Sequence, residues 1–386
     1  MNLSYLTLLD EVKAYHPGKY HSSRNYINGT VTAWSPYISR GFLSPVTVME
    51  QLKSKYNKQE WIGFLQQMAW REYFQRVWQH KGDLILQDLK STQLNVVLKQ
   101  VPLPISNAST GIHVLDDAIE QLYKKGYLHN HLRMYLAMLH SNIFKAAWLP
   151  GAKWMYAHLL DHDPAANFLS WQWVAGTFSS KQYVANQDNI NKYTSTNQVG
   201  TFLDTEYENL HKAIFDAAGQ PVLNRITNLK APFDQLYTIE TSSILKNIIA
   251  ANSAKKFDLN KIDLDRPVCV YNSFNLDPLW HADQEVNRIL LLEPDHFTTY
   301  PVTENVLQFV VDLAKNNLQN LQIFVGSFEA LMAALNNSKG LVYFKEHPTT
   351  DHYKGIREER DWLFPEVNGY YPSFFGFWKK CEKILK

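Results

Sequence analysis

Asn130, Arg133 and Met134 lie three and four residues apart on an otherwise apolar helical pattern of Leu128, Leu132, Tyr135, Leu136 and Leu139. Residues at that spacing share one helix face, so an amide, a guanidinium and a thioether point the same way. A buried guanidinium needs a buried anion, because an unpaired ion in low dielectric costs several kcal/mol. Asp161 is the obvious partner, with Asp163 two residues on. Asn167 and Trp171, four apart in the next apolar run, would line the same space from a second helix. A pocket offering these groups suits a flat heteroaromatic ligand with polar edges.

The stretch from Gly126 to Thr177 reads G-Y-L-H-N-H-L-R-M, then an apolar helix, then D-H-D-P-A-A-N-F-L-S-W-Q-W-V-A-G-T. It resembles the flavin-binding core of the DNA photolyase and cryptochrome family, whose pattern is W-M-H-N-R-L-R-M and later D-G-D-L-A-A-N-N-G-G-W-Q-W. The match runs without a gap from Asn130 through Arg133, Trp148 and Asp161 to Trp173. The resemblance implies FAD as cofactor. It puts Asn167 beside the flavin N5, and makes Trp171 and Trp148 the first two members of the tryptophan relay that reduces flavin by light. Asn130, Met134 and Trp173 would line the pocket for a damaged pyrimidine pair. His131 stands where the family has an Arg that meets the DNA backbone.

Two further stretches extend the resemblance. Val31 to Pro45 takes the place of the family loop T-S-R-L-S-P-Y-L, which holds the flavin diphosphate. Thr32 and Ser35 keep its hydroxyls, and backbone amides with small hydroxyls are a sound phosphate cradle. Val31 and Ala33 replace the family's Thr and Arg. Upstream, Tyr20 and Arg24 keep the family's spacing to one another. Residues 59–80 read as an amphipathic helix on which Phe64, Gln67, Trp70, Arg71 and Phe74 form one stripe. By period alone Phe64 and Phe74 are core residues, while Gln67 and Arg71 need partners if buried. The run Trp70-Arg71-Glu72-Tyr73-Phe74 matches the family's W-R-E-F-Y, where the Arg meets the flavin and the Trp packs on the flipped pyrimidine pair. Phe64, Gln67 and Arg71 therefore join Tyr20, Thr32, Ser35, Asn130, Arg133, Asp161, Asp163 and Asn167 as expected cofactor contacts. Arg24, Gln67 and Trp70 join the expected lesion contacts.

Composition bounds the alternatives. With 386 residues the chain has room for two domains, and a formal net charge of +1 supplies no global field for nucleic acid, so a DNA site would be a local patch. Two cysteines, Cys269 and Cys381, make a disulfide framework unexpected and exclude a four-thiolate cluster within one chain. No metal site is expected. No leader pattern and no apolar run of membrane-spanning length is present, which reads as a cytoplasmic protein, expected as a monomer.

The order of elements gives the architecture. Residues 1–44 read as irregular, Ser44-Pro45 as a helix start, 81–110 as a linker, and helices as following at about 112–125, 128–146 and 151–160. Together they make an α-helical FAD-binding domain of photolyase type over residues 1–200, followed by a polar helical connector over 201–264. From 265 to 386, β-rich runs (P-V-C-V-Y-N, I-L-L-L-E-P, L-Q-I-F-V-G, L-V-Y-F-K-E) alternate with helical segments at His281–Arg288, Asn305–Asn316 and Phe328–Asn336. That alternation reads as a smaller α/β domain with a parallel sheet. Photolyases carry such a domain before the helical one, so its place after it implies a permuted order. No G-x-G-x-x-G marks a dinucleotide site there.

Three functions are then open. The first is a FAD-dependent photolyase that splits ultraviolet-induced dimers in double- or single-stranded DNA. The second is a cryptochrome-like photoreceptor without repair, which Gln67 in place of a Glu, His131 and Ala33 favour. The third is a flavin-free scaffold in which Arg133 and Asp161 are structural only. A second, light-harvesting chromophore stays open.

Overall fold

The computed structural model describes residues 1–212, 257–335 and 340–385. The helical part runs through α1 (Tyr5–Ala14), α2 (Tyr20–Ser23), α3 (Ser35–Ile38), α4 (Pro45–Lys55), α5 (Lys58–Lys81), α6 (Leu103–Ser106), α7 (His113–Lys125), α8 (Asn130–Met138), α9 (Trp148–His158), α10 (Pro164–Ala175) and α11 (Gln187–Thr194). Helix α1 corrects the expectation of an irregular start. Its buried residues Tyr5, Leu8 and Val12 stand at i, i+3 and i+7, a helical period that the ten-residue segment does carry and that the reading of 1–44 as irregular overlooks.

Local chemistry fixes the helices that carry the candidate site. Ser44 caps α4, its hydroxyl accepting from the Val46 amide at 3.2 Å, with Pro45 at the first position as expected. In α5 the Glu60 carboxylate accepts from the Asn57 amide at 3.1 Å, and Gly82, with φ +53°, ends the helix. The single helix expected over 128–146 is α8 followed by a π-helical turn, Leu139–Ile143, and only then the chain that leads into α9. Helix α10 opens on Asp163, whose carboxylate accepts from the Ala166 amide at 3.1 Å, and closes on Gly176 in the left-handed region.

The later part is a five-stranded sheet in the order β3-β2-β1-β4-β5, every pair parallel: β1 (Val268–Tyr271), β2 (Asn287–Leu292), β3 (Gln322–Val325), β4 (Val342–Lys345) and β5 (Ile356–Glu358). Strands β1 and β2 are buried along their whole length, as the near-continuous apolar runs of a parallel sheet require. Two expectations change. His281–Arg288 is not a helix, because its last two residues already belong to β2. Strand β5 was not foreseen: it is a short edge strand carrying Arg357 and Glu358, with no apolar alternation to reveal it. Helices Glu304–Asn317 and Phe328–Ala334 stand where expected, Asn336 lying outside the described residues. So does most of the connector expected over 201–264, namely residues 213–256.

Side chains along β1 alternate between two cores. Val268 and Val270 join Ile289, Leu291, Phe328 and Leu331 on one face. Cys269 and Tyr271 join Leu290, Leu292 and the helix Glu304–Asn317 on the other, in an apolar cluster that continues into the helical part. Polar ties cross the same boundary: the Tyr300 hydroxyl donates to Asp83 at 2.7 Å, and the Thr303 amide to the Ala157 carbonyl at 2.8 Å. Among the described residues, no helix is long and apolar enough to cross a membrane.

Candidate functional site

Helices α8, α9 and α10 line a pocket that opens to solvent. Asn130, Arg133, Met134 and Ala137 reach it from α8, Met155 from α9, and Ala166, Asn167, Ser170, Trp171 and Val174 from α10, with Asp161 and Asp163 at the turn between α9 and α10. Polar and apolar side chains alternate around it, a mixed lining that suits a flat ring with polar edges. Asn167, Ser170, Trp171 and Val174 fall at i, i+3, i+4 and i+7, so the α10 face of the cavity is set by helical period alone.

Arg133 and Asp161 close the floor. The guanidinium Nη1 donates to Asp161 Oδ2 at 2.7 Å and its Nε to the Leu128 carbonyl at 3.0 Å. Burial pushes the Asp161 carboxyl upward, but Arg133 beside it, the Ser35 hydroxyl and Arg71 outweigh burial and leave it below the ordinary carboxylate value. A buried, ionised pair is thus fixed at the end of α8. Asn167 donates its amide N–H to the Ala152 carbonyl at 2.8 Å, which leaves its side-chain oxygen as the group it can offer to the cavity. The indole N–H of Trp171 is buried with no partner among the described residues. A buried donor left unpaired costs about 1–3 kcal/mol, so this wall calls for an acceptor from a ligand.

Asp163, also expected at the cofactor, is largely spent on structure. It caps α10, accepts from Gln75 Nε2 at 2.8 Å and pairs with Arg71 Nη2 at 2.5 Å. Gln75, buried on α5, escaped the sequence reading because nothing in its spacing announces a partner eighty-eight residues away. Arg71 itself faces a second pocket between α5 and the carboxyl ends of β1 and β4, the point where strand order reverses. There Arg360 donates to Gln75 at 2.8 Å, and Glu72 accepts from the Leu363 amide at 2.6 Å.

The remaining expected residues gather nearby or stand apart. Tyr20 packs edge-on against Phe64 at 5.0 Å, and Phe64 also meets Tyr15 and Trp34, so Phe64 serves as core. Arg24 Nη1 donates to Gln67 Oε1 at 3.5 Å. The Thr32 carbonyl accepts from the Tyr127 hydroxyl at 3.4 Å, and Tyr127 lies beneath the Arg133 guanidinium. Trp148 opens α9 with its indole donating to Asp88 at 2.6 Å. The Trp171 ring rests on the same helix at Gly151, where an added Cβ would come within 2.6 Å of the indole.

Two placements overturn expectations. His131 is not a solvent-facing phosphate contact. It is 7% exposed, stacks on Tyr193 at 4.8 Å, and burial, with His129 and Arg24 nearby, pushes its pKa down to about 4. Trp70 is not an open platform: Phe374 of the helix Phe374–Ile384 lies on it face to face, centroids 3.7 Å apart. Trp173, by contrast, is 37% exposed, and Asn130 is exposed at the start of α8.

Residues 64–226 match the sequence model of the FAD binding domain of DNA photolyase. This segment is a helical FAD-binding domain of photolyase type. The chain is 25% identical over 175 residues to a deoxyribodipyrimidine photo-lyase of Halobacterium salinarum, covering 42% of this chain and 36% of that one. It is 27% identical over 169 residues to the chloroplastic/mitochondrial cryptochrome DASH of Solanum lycopersicum, covering 41% of this chain and 29% of that one. The matched region thus spans about a third of these curated relatives. A bacterial class III photolyase from Agrobacterium tumefaciens superposes with a TM-score of 0.41 at 19% identity, over 65% of this chain and 55% of that one.

FAD fits the α8–α9–α10 cavity of this photolyase-type domain. Arg133 and Asp161 supply a fixed charge pair, Asn167 a carbonyl oxygen and Trp171 an unpartnered N–H, against an apolar wall of Met134, Ala137 and Val174. When bound, FAD supplies blue-light absorption and one-electron chemistry. The residues that would hold it are Arg133, Asp161, Asn167 and Trp171, whose part would be to bind and orient the ring system. Among the described residues, no cluster of His, Cys, Asp and Glu is placed to hold a metal ion.

Proposed function

We propose that this protein is a light-driven FAD enzyme that binds ultraviolet-induced pyrimidine dimers in DNA and splits them by one-electron transfer. The observation that carries this reading is the shared cavity: Arg133, Asp161, Asn167 and Trp171 converge on it, while Asn130 and Met134 leave its mouth polar and open. With FAD bound, Trp171, which lines the pocket from α10, would be the nearer electron donor, and Trp148, at the start of α9, the residue behind it. Exposed Trp173 offers a face for a flipped base; a lesion leaves the stack at lower cost than an intact pair. The protein acts as a monomer in the cytoplasm, a compartment that the two buried, unpaired cysteines suit.

A second reading, a blue-light photoreceptor without repair, is favoured by one observation. The Trp70 face that a lesion would use is occupied by Phe374. Defined cyclobutane and (6-4) lesions, illuminated with the protein and a reductant, separate the two. Restoration of either lesion supports repair. A protein that photoreduces yet leaves both lesions intact is the photoreceptor.

A further inference from the structure

His140 lies on the π-helical turn Leu139–Ile143 and is completely buried. A π-helical turn inside a helix is rare and is frequently found at functional sites. The imidazole meets the Trp171 ring edge to face, centroids 5.3 Å apart and planes at 80°. Gly151 makes that approach possible: a Cβ there would lie 2.7 Å from His140 Cε1 and 2.6 Å from the Trp171 ring carbons Cη2 and Cζ3. His140 Nδ1 lies 3.5 Å from the Ser141 hydroxyl, while Nε2 is buried with no partner among the described residues.

We propose that His140 is a positioning residue for Trp171: Ser141 holds it as the Nδ1–H tautomer, and the uncharged imidazole, with its Nε2 lone pair unshared, stabilises positive charge on the indole. This inference rests on the reading of Trp171 as the electron donor. One electron leaves the indole for the flavin, the Nε1 hydrogen stays in place, and no bond is made or broken. The indole is left with a single positive charge in a site that water does not reach. A neutral imidazole beside it adds a ring dipole without adding a charge to be desolvated, where an apolar side chain would add none. A cation there would oppose the charge, and burial excludes one by pushing the His140 pKa down to about 3. Met, Leu or Phe would pack the same space, so the polar ring is not explained by packing.

The test compares wild type with His140→Phe, Ser141→Ala and Trp171→Phe, all FAD-loaded. Two readouts go beyond turnover: the ¹⁵N spectrum of the His140 ring in the dark, and the flash-induced absorption of the tryptophan radical. The expected results are an Nδ1–H tautomer in wild type, a tryptophan radical that forms roughly three- to tenfold more slowly in His140→Phe at equal FAD content, and a smaller slowing in Ser141→Ala. An Nε2–H tautomer, or radical formation in His140→Phe at the wild-type rate, overturns the proposal. Should His140→Phe not fold, Ser141→Ala decides, an unchanged rate counting against it. Trp171→Phe separates the two levels. If it still photoreduces at the wild-type rate, the donor reading itself fails and the His140 proposal goes with it. If it stops while His140→Phe is unaffected, only the His140 proposal fails.

Discussion

Phe374 lies flat on Trp70, centroids 3.7 Å apart and planes within 10°. The contact joins α5 to the helix Phe374–Ile384, whose Phe374, Phe377 and Trp378 are all buried. Truncating Phe374 to alanine should therefore destabilise the protein by about 3 kcal/mol and lower its Tm. If the repair reading is right, the variant should also bind lesion-containing DNA more tightly than wild type, since the Trp70 face is uncovered. Weaker or unchanged binding in a folded Phe374→Ala variant would show that Trp70 takes no part in recognition.

The two aspartates that flank His162 have different work, and they should separate by mutation. Asp163 caps α10 and neutralises Arg71. Asp163→Ala removes the cap and strands a mostly buried guanidinium, so a loss of about 3 kcal/mol or more is expected. Chemical denaturation checks this; a loss below about 1 kcal/mol, the value of an exposed pair, would show that the Arg71–Asp163 pair is not held as described.

Sequence made the Arg133–Asp161 pair and the α10 face legible because both follow from helical period and charge economy. Asn130, Arg133 and Met134 do share a face, as do Asn167 and Trp171. What sequence could not show depends on long-range packing. Gln75 meets Asp163 across eighty-eight positions, and Phe374 meets Trp70 across some three hundred. His131 kept the motif's polarity, but its neighbours Tyr135 and Tyr193 bury it. The π-helical turn at His140 lies inside what reads as one uninterrupted apolar helix, and no residue type marks it. The parallel sheet was readable from its buried central strands, and β5 was not, because an edge strand needs no apolar alternation.

Buried histidines set the acid limit. Burial, the leading cause in each case, holds His131, His158 and His296 with pKa values of about 4, and His140 at about 3. Their ordinary value is 6.5. Between those values the unfolded chain binds more protons than the folded one, so stability is full above about 6.5 and falls as pH drops toward 4. Burial of Glu72 and Asp116 raises their pKa and works in the opposite direction, but these two stand against seven histidines, since His129, His162 and His347 are lowered as well. The Tm should fall steadily from pH 7 to pH 4.5. A Tm flat across that window would mean that these rings are hydrated or already charged.

FAD held against the Arg133–Asp161 pair is the claim from which the rest follows. Its most direct test is the FAD released per chain on denaturing purified wild-type and Asp161→Asn protein, with circular dichroism confirming that both were folded. The account predicts stoichiometric FAD in wild type and at most roughly a tenth of it in Asp161→Asn, because the lost charge leaves Arg133 unpaired at the cavity floor. Wild type without FAD, or a folded Asp161→Asn protein that keeps its full complement, would contradict it.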